Sequence, residues 1–285
     1  MKKLLVGALA LALALMVTPA PAVKAGQNYP NPCNHIDGGF SRFASPLCSG
    51  LIEHWPFEED SDRPRFGSFM TALLERNVKN VGRFAEIRPL DGDYSLDLES
   101  TDQSWLWQFG GIPTGASTTA VWFKTESLPA STGQKMTILS ANTTNAPGPE
   151  LYIEKTSTSA KVCYSNYEQE TNTQVTVCSA DNSVSNATVC HVAAGESPYH
   201  VGKSRLFLSL NAGTLLTSAT AYHTRGGIGL VDVGAHRSAY SNATFSQFFD
   251  GQLDQLLLYG RPLTPAEITL LYVSGSGRTY PFFTD

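Results

Sequence analysis

Along most of the chain, apolar residues recur in short runs that are separated by Gly, Pro, Asn and Ser. The runs "STTAVWFKT", "QKMTILSA", "ELYIEK", "AKVCYSN", "TQVTVCSA", "TVCHVA", "SRLFLSL", "TLLTSATAY", "GIGLVDVGA" and "LDQLLLY" are of strand length and dense in Val, Ile, Leu, Tyr, Phe and Thr. Such residues fit a pleated, half-buried surface, and successive side chains of a strand point to opposite faces. Closely spaced short strands with turn signals between them predict an all-β antiparallel sandwich or barrel. No strand–helix–strand rhythm is present, which argues against a parallel, doubly wound sheet.

Two stretches depart from the strand pattern. In "FMTALLERNVKNV", residues 69–81, apolar residues fall at mixed three- and four-residue spacing and predict a short helix. The second stretch is "LTPAEITLLYVSG", residues 263–275. Thr264 is placed to cap a helix, Pro265 takes its first position, Glu267 completes a capping box and Gly275 ends it. Ile268 and Leu271 would then face the body of the domain. Just before this helix, the run Leu253 to Tyr259 carries one carboxylate, Asp254. By simple alternation Asp254 points the same way as Leu256 and Leu258, an expensive placement unless the charge is hydrogen-bonded or paired with a metal.

The first 25 residues, "MKKLLVGALALALALMVTPAPAVKA", have a basic start, an apolar run and a small-residue end. This pattern predicts a secretory signal peptide cleaved after Ala25, and with it a secreted, cell-surface or periplasmic location. The apolar run is short for a bilayer span, and no later segment is apolar enough for one. Loss of Lys2, Lys3 and Lys24 takes the net charge from −5 to about −8, which speaks against a nucleic-acid partner. Residues 26–50 read as an irregular arm and residues 51–285 as one domain.

All five cysteines, Cys33, Cys48, Cys163, Cys178 and Cys190, lie beyond the leader. An exported chain is expected to form disulfides. Cys163 and Cys178 sit on two strand-like runs expected to form a hairpin that would place them opposite each other, and Cys33 and Cys48 would close a loop near the new N-terminus. Cys190 is left over, and pairing of Cys178 with Cys190 stays open. None of the spacings suits zinc.

"GLIEHWPFEE", "GRFAEIRPLDGDYSLDL", "TTAVWFKTESLP", "CHVA", "LFLSLNAGTLL", "GIGLVDVGA" and "FDGQLDQLLLYGRPLTPAEI" follow one another over about 220 residues. In this order they resemble the landmarks of the laminin-G-like, concanavalin A-like jelly rolls of the lectin/glucanase superfamily. The last is very like that family's closing strand and helix. The resemblance implies a two-sheet antiparallel jelly roll with a short C-terminal helix. The chain departs from the family at Cys190, where a Trp is usual, and in the long stretch "HVAAGESPYHVGKSRLF".

Members of the wider fold often hold a structural calcium at a sheet edge. Calcium takes several hard oxygen donors, so Asp91 and Asp93 in "LDGDYSLD", together with Asp254, form the expected ligand set, with Glu53 a further donor. The competing reading is a buried Asp254 held by hydrogen bonds alone. Trp105 and Trp107 share one face of "DQSWLWQFGG" by alternation. Such rows stack on sugar rings in binding sites, and in sandwiches they more often pack in a core. Tyr164 and Tyr167 are candidates of the same kind. "GESPYHVGKS" imitates a phosphate-binding loop but has the wrong glycine spacing and leads into a strand. Glu58, Asp60 and Asp62 imitate a glycosidase acid pair but lie in a polar, Pro-terminated stretch. The expected function is non-catalytic recognition of a carbohydrate or glycoprotein, as in an adhesin. The alternatives are a structural subunit that forms a homo-oligomer by donating residues 26–50 to a neighbour's sheet edge, and a glycoside hydrolase with atypical acid placement.

Overall fold

A computed structural model of the chain describes residues 46–55, 57, 95–109, 112–143, 146–224, 229–238 and 244–273, with strand segments at 36–37, 40–41, 66–67 and 74–76. In chain order the strands are β1 (Ile36–Asp37), β2 (Phe40–Ser41), β3 (Leu51–Trp55), β4 (Phe66–Gly67), β5 (Leu74–Arg76), β6 (Leu96–Leu98), β7 (Trp105–Phe109), β8 (Ser117–Thr125), β9 (Lys135–Thr143) and β10 (Ala146–Lys155). They continue with β11 (Ala160–Tyr167), β12 (Gln174–Cys178), β13 (Val189–His200), β14 (Lys203–Leu210), β15 (Leu216–Thr217), β16 (Tyr222–His223), β17 (Gly229–Val233), β18 (His236–Arg237), β19 (Phe245–Ser246) and β20 (Gly251–Tyr259), and the helix α1 (Pro265–Tyr272) closes the fold.

Two antiparallel sheets stand face to face. One has seven strands in the order β12-β11-β10-β9-β17-β7-β5. The other has nine: β15-β14-β13-β8-β20-β3-β4, with β16 beside β14 and β6 beside β20. Leu106, Leu139, Leu151, Val162 and Val231 from the first sheet meet Val121, Phe123, Val192, Leu206 and Leu253 from the second in one buried cluster. This is the two-sheet, all-β jelly-roll sandwich that the strand pattern and the resemblance predicted.

The helix packs on the outer face of the nine-stranded sheet. Ile268, Leu271 and Leu263 are buried against Ala120, Ala193, Phe207, Leu257 and Tyr259, together with Leu47 from the turn before β3. Its start is built as expected. The Thr264 hydroxyl accepts from Glu267 N at 3.3 Å, and a Glu267 carboxylate oxygen accepts from Thr264 N at 2.8 Å. Arg261 donates to both Glu267 oxygens, at 2.6 and 2.9 Å, and also to the carbonyls of Ser49 and Pro46. One guanidinium thus ties the entry of the sandwich to its exit. The Arg261 bonds, which outweigh partial burial, hold the Glu267 carboxyl down at about 2. A carboxyl depressed on folding adds stability that is complete above its unfolded value near 4.5 and is lost as pH falls through 2. Between pH 5 and pH 2 the natural chain is expected to lose about 2 kcal/mol more stability than Glu267→Gln, read from denaturant melts across that range.

Three local features differ from the sequence reading. Residues 74–76, inside the expected helix at 69–81, form β5 and pair with Trp105–Trp107 of β7. The apolar spacing there suits either element, and an available sheet edge decides it. "HVAAGESPYHVGKSRLF", longer than the family's usual connection, is strand for most of its length: β13 runs on to His200 and turns directly into β14, so Gly195 lies in mid-strand. The third concerns Asp254. Between Asp254 and Leu257 the ladder of β20 slips, with Gln255 at φ +49° and its amide oxygen 2.6 Å from His54 Nε2. The bulge inserts a residue and resets the alternation. Asp254 pairs opposite Trp122 on the outer face, away from Leu256 and Leu258 in the core. The charge is therefore not on the inter-sheet face.

A disulfide joins Cys163 and Cys178, which are register partners on β11 and β12. Cys190 is a free, buried thiol, so its pairing with Cys178 does not occur. Cys48 is also disulfide-bonded, while Cys33 lies outside the described residues. No helix among the described residues is long and apolar enough to cross a membrane.

Candidate functional site

The outer face of the seven-stranded sheet is polar and aromatic. Strand register places Ser165, Glu150, Ser140, Asp232 and Trp107 in one row across β11, β10, β9, β17 and β7. Neighbouring strands are about 4.8 Å apart, so Glu150 and Asp232, two strands apart, stand about 10 Å from each other at the backbone. Both acids are buried. The β18–β19 hairpin lies over them. Arg237 of β18 grips Asp232 with two bonds, Nε to Oδ2 at 2.7 Å and Nη2 to Oδ1 at 2.6 Å. Its neighbour His236 places Nδ1 2.9 Å from Glu150 Oε1, which also accepts from the Thr137 hydroxyl at 2.8 Å. Burial works to raise the Glu150 carboxyl, but the bonds from His236 and Thr137 and the nearby Lys135 charge outweigh it and leave the group below its ordinary value. The two acids are thus each held by a cationic or hydrogen-bonding partner.

The aromatic side chains divide along the same face. Trp105 is buried outside the inter-sheet core, stacked on Phe245 of β19 at 3.9 Å between ring centroids, with the Arg237 guanidinium 4.7 Å from the Phe245 ring. Trp107 is half-buried, next to Asp232 in the row. Tyr167 is half-buried at the far side of the sheet, whereas Tyr164 points into the core and is fully enclosed. Of the four aromatic candidates, Trp107 and Tyr167 reach solvent.

Two clefts flank the sandwich. One, of about 510 Å³, is lined by Glu168, Glu170, Thr171, Lys203, Tyr222 and His223. The other, of about 680 Å³, is lined by Ser100, Ser127, Gln134, Lys135, Met136 and Gln247. Beside the second lies a group of acids that sequence reasoning missed: Asp97 on β6, Glu99 just after it and Glu126 just after β8. Their nearest oxygens all lie within 4.8 Å of one another, an arrangement that can hold a metal ion. Burial, then the charges of Glu126, Glu99 and Asp250, push the Asp97 carboxyl up to about 7. The alternation in "SLDLES", with Leu96 and Leu98 in the core, already sets Asp97 and Glu99 on the opposite face. Glu126 joins them only through the pairing of β8 with β20. Of the calcium ligands expected from the sequence, Asp91 and Asp93 lie outside the described residues, and Asp254 is buried opposite Trp122.

The sequence model of the concanavalin A-like lectin/glucanases superfamily, of the Laminin_G_3 type, matches residues 97–269. The chain belongs to this superfamily. Among solved structures it is similar to the binding domain of botulinum neurotoxin DC in complex with SialylT (11% identity, TM-score 0.57, 79% of this chain and 52% of that one). It is also similar to the botulinum neurotoxin type G receptor-binding domain (12% identity, TM-score 0.52, 77% and 50%). A third is the binding domain of Paraclostridial Mosquitocidal Protein 1 (12% identity, TM-score 0.50, 78% and 52%). The chain spans about half the length of each, and at this identity the likeness is one of fold. No curated protein matches the chain in sequence.

Proposed function

We propose that this superfamily member is an exported recognition module that binds a carbohydrate or glycoprotein without transforming it, with the outer face of the seven-stranded sheet around Trp107 as its ligand surface. The supporting observation is the row itself: a half-exposed indole beside Asp232 and Ser140, with further hydrogen-bonding groups along the face. An apolar ring face flanked by fixed polar groups suits a sugar, whose rings carry both C–H and hydroxyl surfaces. The engagement of both acids favours binding over hydrolysis. A glycosidase acid pair needs one free proton donor and one free base or nucleophile, and here Asp232 is neutralised by Arg237 while Glu150 bonds His236 and Thr137. The similar solved structures are described as binding domains, one of them in complex with SialylT, which leans the same way.

The test is a glycan array probed with the mature chain, followed by affinity measurement on any retained glycan. Trp107→Ala is expected to weaken binding by about 30-fold, the loss typical of truncating an interface Trp worth about 2 kcal/mol. An array that retains nothing defeats the reading. Release of reducing sugar from a glycan, abolished by replacing two carboxylates, replaces it with the hydrolase.

A further inference from the structure

We infer that Asp97, Glu99 and Glu126 form a divalent-cation site, of calcium chemistry, that fastens two separate segments at the rim beside the cleft of Ser100, Ser127 and Gln247. The inference stands independently of which ligand, if any, the outer sheet face binds.

The backbone brings the three acids together. Asp97 is the register partner of Gln252, and Thr125, at the end of β8, is the partner of Gly251. Strands β6 and β8 therefore flank the first residues of β20. The approach is close: a Cβ on Gly251, at φ +141°, would lie 2.1 Å from the Lys124 carbonyl oxygen. Glu126 N then donates to Asp250 O at 3.0 Å, and Ser100 N donates to Asp250 Oδ1 at 3.0 Å. The Ser127 hydroxyl bonds Asp250 Oδ2. Asp250 thus spends its carboxylate on fixing the two loops, and the other three acids remain to face one another.

The geometry fits a calcium ion. Two oxygens bound to one calcium, each at about 2.4 Å, stand at most about 4.8 Å apart. The three nearest oxygens lie within that span of one another. All donors are carboxylate oxygens, with no thiolate or imidazole in the group, which selects hard cations over zinc or copper. A second observation points to a bound cation. Asp97 is only 5% exposed, and its Oδ1 is buried without a hydrogen-bond donor. Among the described residues, no Lys, Arg or His forms an ion pair with any of the three. A buried carboxylate grouped with two further carboxylates is costly unless a cation offsets their charge. Glu126 is exposed, so water can complete the shell from the solvent side.

The experiment is calorimetric titration of the chelator-treated mature chain with calcium chloride and, separately, magnesium chloride, alongside thermal unfolding. Calcium is expected to bind at one site with Kd between about 10⁻⁶ and 10⁻³ M, and to raise Tm by about 5–10 °C at 100-fold excess over Kd. Magnesium should bind at least tenfold more weakly. Glu126→Gln, at an exposed position that leaves folding intact, is expected to weaken calcium binding at least tenfold and to remove most of the Tm shift. Asp97→Asn should do the same while being no less stable than the natural chain when calcium is absent. No heat and no shift at 10-fold-millimolar calcium, on the order of the weakest extracellular sites, overturn the site. So does a calcium shift that survives in both variants, because the ion would then lie elsewhere.

Discussion

Gly195→Ala is expected to destabilise the chain by about 3 kcal/mol or more, lowering Tm by about 6–12 °C. Gly195 lies in the middle of β13, between β8 and β14, where its partners are Thr118 and Phe207. A methyl group placed there would sit 2.0 Å from the Ser117 carbonyl oxygen and 2.9 Å from the Thr118 Cα. Both atoms belong to the backbone of a central strand, so no side-chain rotation relieves the clash. Either β13 moves away from β8 and loses ladder bonds, or the strands twist apart. The next residue magnifies the damage. Glu196 is buried between the sheets, where it accepts from Tyr222 OH at 2.8 Å, from Asn166 Nδ2 and from Gly115 N. Displacing β13 leaves that carboxylate short of donors. Gly133→Ala is the comparison: its φ is +81°, but nothing lies within 4 Å, so only the left-handed backbone resists and the expected cost is about 1 kcal/mol. Equal losses in the two variants, measured by denaturant unfolding, would show that close approach is not the cause.

Arg237→Ala is expected to cost about 3–5 kcal/mol, because it removes one partner of a buried ion pair and leaves the other charged. Asp232 is fully buried, and Arg237 supplies two of its bonds from β18. The same guanidinium lies over Phe245, which covers Trp105. Losing it therefore uncovers an apolar stack as well as a carboxylate. Adding Asp232→Asn to Arg237→Ala should recover part of the loss, so that the double variant is less destabilised than the two single changes added together. Strict additivity of the two changes would sink the pairing argument. If the ligand face is the one proposed, Arg237→Ala should also weaken glycan retention, since the hairpin that shapes the face is no longer pinned.

The long strands were legible because their inner residues obey a period of two and their turns carry Gly, Pro and Asn. "STTAVWFKT" reads as a strand and forms β8 over the same residues, Ser117–Thr125. The helix was legible because Thr264, Pro265 and Glu267 make a local signal that needs no tertiary partner. What failed was set by distant contacts. The two- and three-residue strands β4, β5, β15, β16, β18 and β19 have no period of their own and exist because an edge or a face lies beside them. The facing of Asp254 failed for a subtler reason. One residue in a positive-φ bulge, Gln255, inverted the alternation on which the reading depended. Trp105 and Trp107 share a face, as the alternation implied, but that face is covered in part by a hairpin from a segment more than a hundred residues later. The acids at Asp97 and Glu99 were visible in "SLDLES" only as half of a pattern, since their third member, Glu126, arrives through the β8–β20 pairing.

Gly260 N bonds Gly50 O at 2.8 Å, so the polypeptide enters and leaves the sandwich at a single point of its perimeter. That point belongs to the nine-stranded layer, whose outer side already carries the helix. A sandwich whose first and last strands meet in this way can be spliced between two halves of a host polypeptide without opening its sheets.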